Sequence, residues 1–332
     1  KTYYPELSYG ILLENCVNGV VRGTFSNSRA ENIHIKTCEN LILDVVTGAT
    51  QEPCESISIY DSKDVKGSIS SYNNTYQRGV YVDATYLSEL DCYGERCGDG
   101  IFLNNSQHNI VRAIAKNNTW QCIKMQDSHY NVVLFTAIEN GMEGLYAFRC
   151  TFNTLKGVSF YNKRNGIWID EGGDNTFDIV SRENSQLAPA LASGMKITNS
   201  SSNIGTLIAD DQTPIQHKYA FEEVGASNNN DIVGGKFAGW LVSSVSMVGN
   251  ATEINVIGFV TENMGHATTS NSTHVIVNHG LAGIPTIIMI APRTTECGLA
   301  AVTFRTETTF TITVEIAGNW IIDWYAEYDP VP

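Results

Sequence analysis

Two carboxylates adjoin in the segment GIWIDEGGDN, Gly166 to Asn175: Asp170 and Glu171, just past Trp168. A third, Asp127, stands 44 residues before Glu171, and Arg149 lies midway, 22 residues from each. Paired carboxylates can divide the cutting of a glycosidic bond, one protonating the leaving oxygen while the other activates water or attacks. An arginine between them would hold an acidic sugar, or favour the charged carboxylates and so work against a general acid. A lyase reading uses Lys124, Arg149 or Lys196 as base, with the acidic cluster Asp170, Glu171 and Asp174 holding Ca2+. No cofactor is required by the hydrolytic reading, and no complete metal-ligand set is recognisable, so any metal is unknown beyond Ca2+ as a candidate.

The spacing of 22 is a period of the chain. Units beginning on an apolar–any–apolar triplet start at Ile11, Ile33, Ile57, Val80, Ile101, Ile123, Leu145, Ile167, Met195, Ala220 and Val242, covering roughly residues 9–265. Each unit reads as a short alternating strand, a polar corner, a second apolar strand and a Gly/Asn-rich turn. Eight residues after the start stand Asn109, Asn131, Asn153, Asn175, Asn203, Asn228 and Asn250. Five residues after it stand Cys16, Cys38, Ser62, Thr85, Ser106, Ser128, Cys150, Gly172, Ser200 and Gly225, small throughout, with Met247 breaking the column. If each unit is one turn of a solenoid, equal positions stack about 4.8 Å apart. The small column is then an interior corner and the Asn column a ladder of amides at a bend. Cys16 and Cys38, one coil apart, come within disulfide reach; two buried thiols filling a narrow corner are the alternative.

Units of about 22 residues, with three short strands and an asparagine ladder, resemble the right-handed parallel β-helix (pectin-lyase-like) superfamily. The expected fold is all-β: a right-handed parallel β-helix of about eleven coils over residues 1–265, then a small antiparallel β-sandwich over 266–332. The polar run HATTSNST separates them, and the alternating strands around HGLAGIPT and WYAE resemble C-terminal modules of phage tailspikes, tail fibres and prokaryotic surface proteins. His274 and His279 in that region read as turn and strand packing rather than metal ligands. The resemblance implies a module that caps the solenoid or holds a homotrimer together, on a virion tail or cell surface.

Start and start+2 residues of each strand point inward, so start+1 and start+3 point out. The outward columns carry Tyr81, Phe102, Lys124, Tyr146, Trp168, Lys196 and Phe221, and beside them Asp83, Asn104, Gln126, Phe148, Asp170, Thr198 and Glu223. Aromatic rings pack on pyranose faces while charged and amide groups bond hydroxyls, so Tyr81, Phe102, Lys124, Tyr146, Trp168 and Lys196 are the expected glycan contacts. Asp127 and Glu171, two coils apart, fall near the carboxyl separation of an inverting hydrolase, and Asp170 is a second partner for Asp127. Charge ladders across coils and strand propensity account for the same residues without function.

A formal net charge of −14 argues against a surface built for nucleic acid or anionic lipid, and no run is apolar and long enough for a membrane span. Eight cysteines include no metal-type CxxC pair; Cys92 and Cys97 are spaced to close a small loop. The expectation is an extracellular glycan-binding protein, tailspike-like or at a cell surface, with polysaccharide depolymerase activity left open. A secreted polysaccharide lyase or hydrolase and a non-catalytic structural stalk are the alternatives.

Overall fold

A computed structural model describes residues 9–50, 53–186, 192–210, 217–238, 243–246, 252, 254–256, 259–260, 262–281 and 283–328. Each unit is one turn of a parallel β-solenoid. The opening tetrads, such as Ile101–Asn104, Ile123–Gln126, Leu145–Phe148, Ile167–Asp170 and Met195–Thr198, stack in parallel into a first sheet of eleven strands among the described residues. The second strand of each coil, from Val20–Phe25 to Asp231–Ala238, stacks into a second sheet of ten. The expected third strand shrinks to one bridging residue per coil, a column running from Val17 through Gln107, His129 and Thr151 to Asn228.

The core follows the start and start+2 columns. Ile101, Leu103, Ile123, Met125, Leu145, Ile167, Ile169, Met195 and Ile197 are fully buried, and Leu90, Val111, Val133, Leu155 and Ile179 of the second sheet face them. Burying each such side chain stabilises the fold by about 1.5–3 kcal/mol.

The ladder is continuous over five of the expected positions. Asn109, Asn131, Asn153, Asn175 and Asn203 each donate Nδ2–H to the Oδ1 of the next, at 2.8–3.2 Å. The sixth member is Asn230, not Asn228. Phe221 rather than Ala220 pairs with Met195, and Val245 rather than Val242 pairs with Phe221, so these two coils start later than expected. Apolar–polar alternation is broken in YAFEEV, and a one-residue slip inverts every side chain of a strand. Phe221 and Glu223 therefore point inward and are fully buried, where outward positions were expected. Asn228 becomes an exposed bridging residue opposite Ser201. Asn250 and Met247 lie outside the described residues.

The corners differ from expectation in a second respect. The ladder asparagines are not the left-handed residues; the residue before each is, including His108, Tyr130, Phe152 and Asp174, with φ between 52° and 57°. Another left-handed column follows the first sheet at Asn105, Asp127, Arg149, Glu171 and Asn199. The small column is a ladder of hydroxyls: Ser106 N–H donates to Ser128 Oγ and Gly172 N–H to Ser200 Oγ. Its next member is Ser227, taking the place expected for Gly225. Cys16 and Cys38 occupy this column as free thiols, with Cys16 N–H donating to Cys38 Sγ at 3.4 Å, and Cys92 and Cys97 are also free.

The C-terminal region forms two three-stranded antiparallel sheets. One orders Glu262–Thr268, Ile321–Glu327 and Ile287–Pro292; the other orders Ser272–Asn278, Thr309–Gly318 and Ala300–Arg305. Most of the expected polar linker is thus strand, and the first strand begins before residue 266. Phe310, Ile312, Ile322, Trp324 and Ala326 make its core, and Tyr328 packs against both this core and that of the solenoid. His279 is buried, its ring stacked on Phe310; Nδ1 accepts from Leu281 N–H, so Nε2–H donates to the Thr306 carbonyl. His279 is a packing residue, as its position in a turn predicts.

Candidate functional site

The outward columns of the first sheet hold register strand by strand, Tyr81 to Phe102 to Lys124 to Tyr146 to Trp168 to Lys196. All six expected contact residues therefore share one face, but their environments differ. Tyr81 and Phe102 are buried, 9% and 4% exposed. The Arg78 guanidinium lies over both rings, 4.7 and 4.5 Å from their centroids, and Lys124 Nζ lies 4.7 Å from that of Phe102. These rings present cations, not π faces, to solvent.

Farther along, the rings of Tyr146 and Trp168 remain partly open and lie 4.9 Å apart. Trp168 Nε1–H donates to Thr198 Oγ1 at 3.0 Å, which fixes the indole. Tyr146 Oη–H donates to Asp170 Oδ2 at 3.2 Å. The Asp170 carboxyl is held above its ordinary range, chiefly by burial and also by neighbouring Glu171; the Tyr146 hydrogen bond and Lys196 oppose this. Burial and the adjacent Asp170 charge likewise raise the Tyr146 phenol, so it stays a hydrogen-bond donor.

The other expected catalytic residues occupy the left-handed corner beyond the strands. Asp127 Oδ2 accepts from Arg149 Nη2 at 2.8 Å and from Gln126 Nε2 at 3.3 Å, and the Arg149 guanidinium lies 4.6 Å from the Phe148 centroid. Glu171 is exposed, with φ of 51°. A left-handed conformation costs a non-glycine residue about 1–2 kcal/mol, less for Asn or Asp, so Arg149 and Glu171 sit at corners that asparagine would fill more cheaply. Lys196 Nζ lies 3.4 Å from Glu222 Oε2, which also accepts from Ser193 Oγ. The side chains of Lys196 and Arg149, two of the expected lyase bases, are thus engaged by carboxylates. Among the described residues no group of three or more His, Cys, Asp or Glu is placed to hold a metal ion.

Three participants come from a column the sequence reading did not use, two residues before each strand. Asp99, Gln121 and Glu143 stand there in three successive coils. Asp99 and Glu143 are 3% and 1% exposed. Gln121 joins them, donating N–H to Asp99 Oδ1 at 3.3 Å and Nε2–H to Glu143 Oε2 at 3.1 Å. Burial pushes both carboxyls up, Lys124 and Arg78 pulling Asp99 back and Gln121 and Arg164 pulling Glu143 back. Glu143 Oε1 has no hydrogen-bond partner. The available signal was the spacing itself, Asp99, Gln121 and Glu143 being 22 residues apart.

No family model matches the chain, and no curated protein sequence does. Its structure resembles phage tailspikes and alginate epimerases. The tailspike of Pseudomonas phage phi297 superposes over 92% of this chain and 66% of its own, with TM-score 0.43 and 10% identity. The tailspike of Acinetobacter baumannii bacteriophage AP22, solved with A. baumannii capsular saccharide, covers 94% and 64%, with TM-score 0.37 and 9% identity. The periplasmic alginate epimerase AlgG covers 72% and 77%, with TM-score 0.45 and 10% identity. The chain spans a little under two thirds of the length of the two tailspikes. The likeness is one of fold, the parallel β-helix, and the chemistry of the face is read from this chain's own residues.

Proposed function

We propose that the first-sheet face holds an extended polysaccharide and cleaves it by hydrolysis, as a tailspike-like or cell-surface depolymerase. The observation that carries the reading is the group Tyr146, Trp168 and Asp170. Two partly open rings, one fixed by Thr198, adjoin a carboxyl that burial holds toward its protonated form. Rings of this kind seat a pyranose, and a carboxylic acid beside them is placed to protonate a glycosidic oxygen. Asp127, two strands away and ion-paired to Arg149, is the anionic partner that activates water on the opposite side. At about 4.8 Å per strand their separation suits an inverting reaction. A lyase reaction is left with Lys124 as its base, since Lys196 and Arg149 are engaged by carboxylates.

The partner is a polysaccharide or cell-surface glycan, the setting a virion tail or cell surface, and the assembly a homotrimer. The paired charges Asp127–Arg149 and Lys196–Glu222 support a second reading, a non-catalytic stalk whose cross-strand pairs stabilise the coils. Incubation with a panel of surface polysaccharides, comparing wild type with Asp170→Asn and Glu171→Gln, separates the two. Cleavage lost in Asp170→Asn supports the hydrolase. Retention of a polymer without cleavage by any protein leaves a binding face, and neither retention nor cleavage leaves the stalk.

A further inference from the structure

The cations of the central face are unequally matched. Arg78 pairs with Glu55 at 2.7 Å, Arg149 with Asp127 at 2.8 Å and Lys196 with Glu222 at 3.4 Å. Lys124 has no carboxylate within ion-pair distance among the described residues; its ammonium rests on the Phe102 ring, 4.7 Å from the centroid. It stands in the central column, in register between Phe102 and Tyr146 and two strands from Trp168. Asp99, in the turn before the preceding strand, attracts Lys124 but is buried, and burial disfavours its charged form; Glu143, in the turn before the following strand, is buried as well. A half-exposed ammonium in register with the partly open Tyr146, held in no ion pair and sharing only the buried Asp99 as an electrostatic neighbour among the described residues, can take an anion brought by the ligand. The chain as a whole, at −14, repels an acidic polymer, so recognition of one must come from such a local charge.

We propose that Lys124 is a specificity-determining residue that bonds the anionic group of an acidic pyranose, carboxylate or sulfate, whose ring packs on Tyr146 and Trp168. The proposal rests on the glycan-face reading and narrows it to acidic polysaccharides. The test measures retention of the full chain, wild type, Lys124→Met and Trp168→Ala, on immobilised polygalacturonate and its carboxyl-reduced form, and on dextran sulfate and dextran. Methionine keeps the packing on Phe102, and equal melting temperatures for wild type and Lys124→Met verify the fold.

Wild type should bind an acidic polymer about tenfold more tightly than its neutral counterpart, the expected scale of one charge-assisted hydrogen bond. Lys124→Met should lose that preference while still binding the neutral polymer, and Trp168→Ala should weaken both. Whether the preference arises with polygalacturonate or with dextran sulfate assigns the anion as carboxylate or sulfate. An unchanged preference in Lys124→Met, or equal weakening toward acidic and neutral polymers, overturns the role of Lys124; loss of binding in Trp168→Ala would still uphold the glycan face. Absence of retention on every polymer, with Trp168→Ala indistinguishable from wild type, overturns the glycan face and this proposal with it.

Discussion

At the scale of the residue, environment separates side chains that look alike in sequence. Asp127, Asp170 and Glu171 are three acidic residues of one stripe, yet one is ion-paired, one is bonded to a phenol and partly buried, and one is exposed at a strained corner. If Asp170 is the acid, Asp170→Asn should reduce turnover by at least about 100-fold with retention of polymer unchanged, the usual share of a general acid. Its carboxyl being raised, activity should persist above the ordinary carboxylate range and fall as pH rises through the Asp170 pKa; a pH–rate profile checks this. Glu143 makes a separate prediction about stability. A carboxyl raised in the fold holds its proton more tightly there than in the unfolded chain. Stability is then greatest below the unfolded pKa and is lost as pH rises toward the folded one. Glu143→Gln should therefore melt above wild type at pH 8 and with it below about pH 4, as read by thermal denaturation. Identical curves at both values would show that the buried carboxyl does not retain its proton.

At the scale of the element, ladders do what propensity does not. Asn153 donates to Ser128 and Thr151 carbonyls and to Asn175 Oδ1, and accepts from Asn131. Its replacement by alanine orphans several buried groups, and Asn153→Ala should cost about 3 kcal/mol in denaturant unfolding. The register slip at Phe221 makes a sharper comparison. Asn230→Ala should cost a similar amount, since Asn230 bonds Asn203, the Ser200 carbonyl and Glu223, whereas Asn228→Ala should change stability by less than about 0.5 kcal/mol. The reverse order would restore the register expected from the chain alone. A second amide ladder, Asn118, Asn140, Asn162 and Asn184, runs along another corner and ends on His217 Nε2. Its members also recur every 22 residues, but they follow the second strand of each coil, outside the columns set by the first strand.

At the scale of the whole molecule, the two sheets present unlike surfaces. The first carries the aromatic and charged face. The second mixes exposed aliphatic side chains, Ile114 at 48% and Ile110 at 38%, with cross-strand ion pairs such as Arg112 with Glu89 and Asp91; Leu134 stands in register between Arg112 and Lys156. A homotrimer that packed this sheet inward, through Ile110 and Ile114, would leave the first-sheet face open. Light scattering after size exclusion should give three chains for wild type and one for Ile114→Lys; a monomeric wild type would sink the trimer and leave the face intact.

Repetition made the fold legible. A 22-residue period, two apolar columns and a polar ladder admit few structures besides a parallel solenoid, because equal positions must stack to satisfy backbone and side chain alike. The same columns placed Lys124, Tyr146, Trp168 and Lys196 on one face. Where alternation failed, at YAFEEV, only packing chose which of Ala220 and Phe221 set the strand, and with it the fates of Glu223, Asn228 and Asn230. The covering of Tyr81 and Phe102 by Arg78, the pairing of Asp127 with Arg149, and the burial of Asp99 and Glu143 also belonged to the tertiary structure alone. They depend on how long side chains from adjacent turns fold across a rung, and a periodic pattern records a residue's place in the coil but not where the end of its side chain comes to rest.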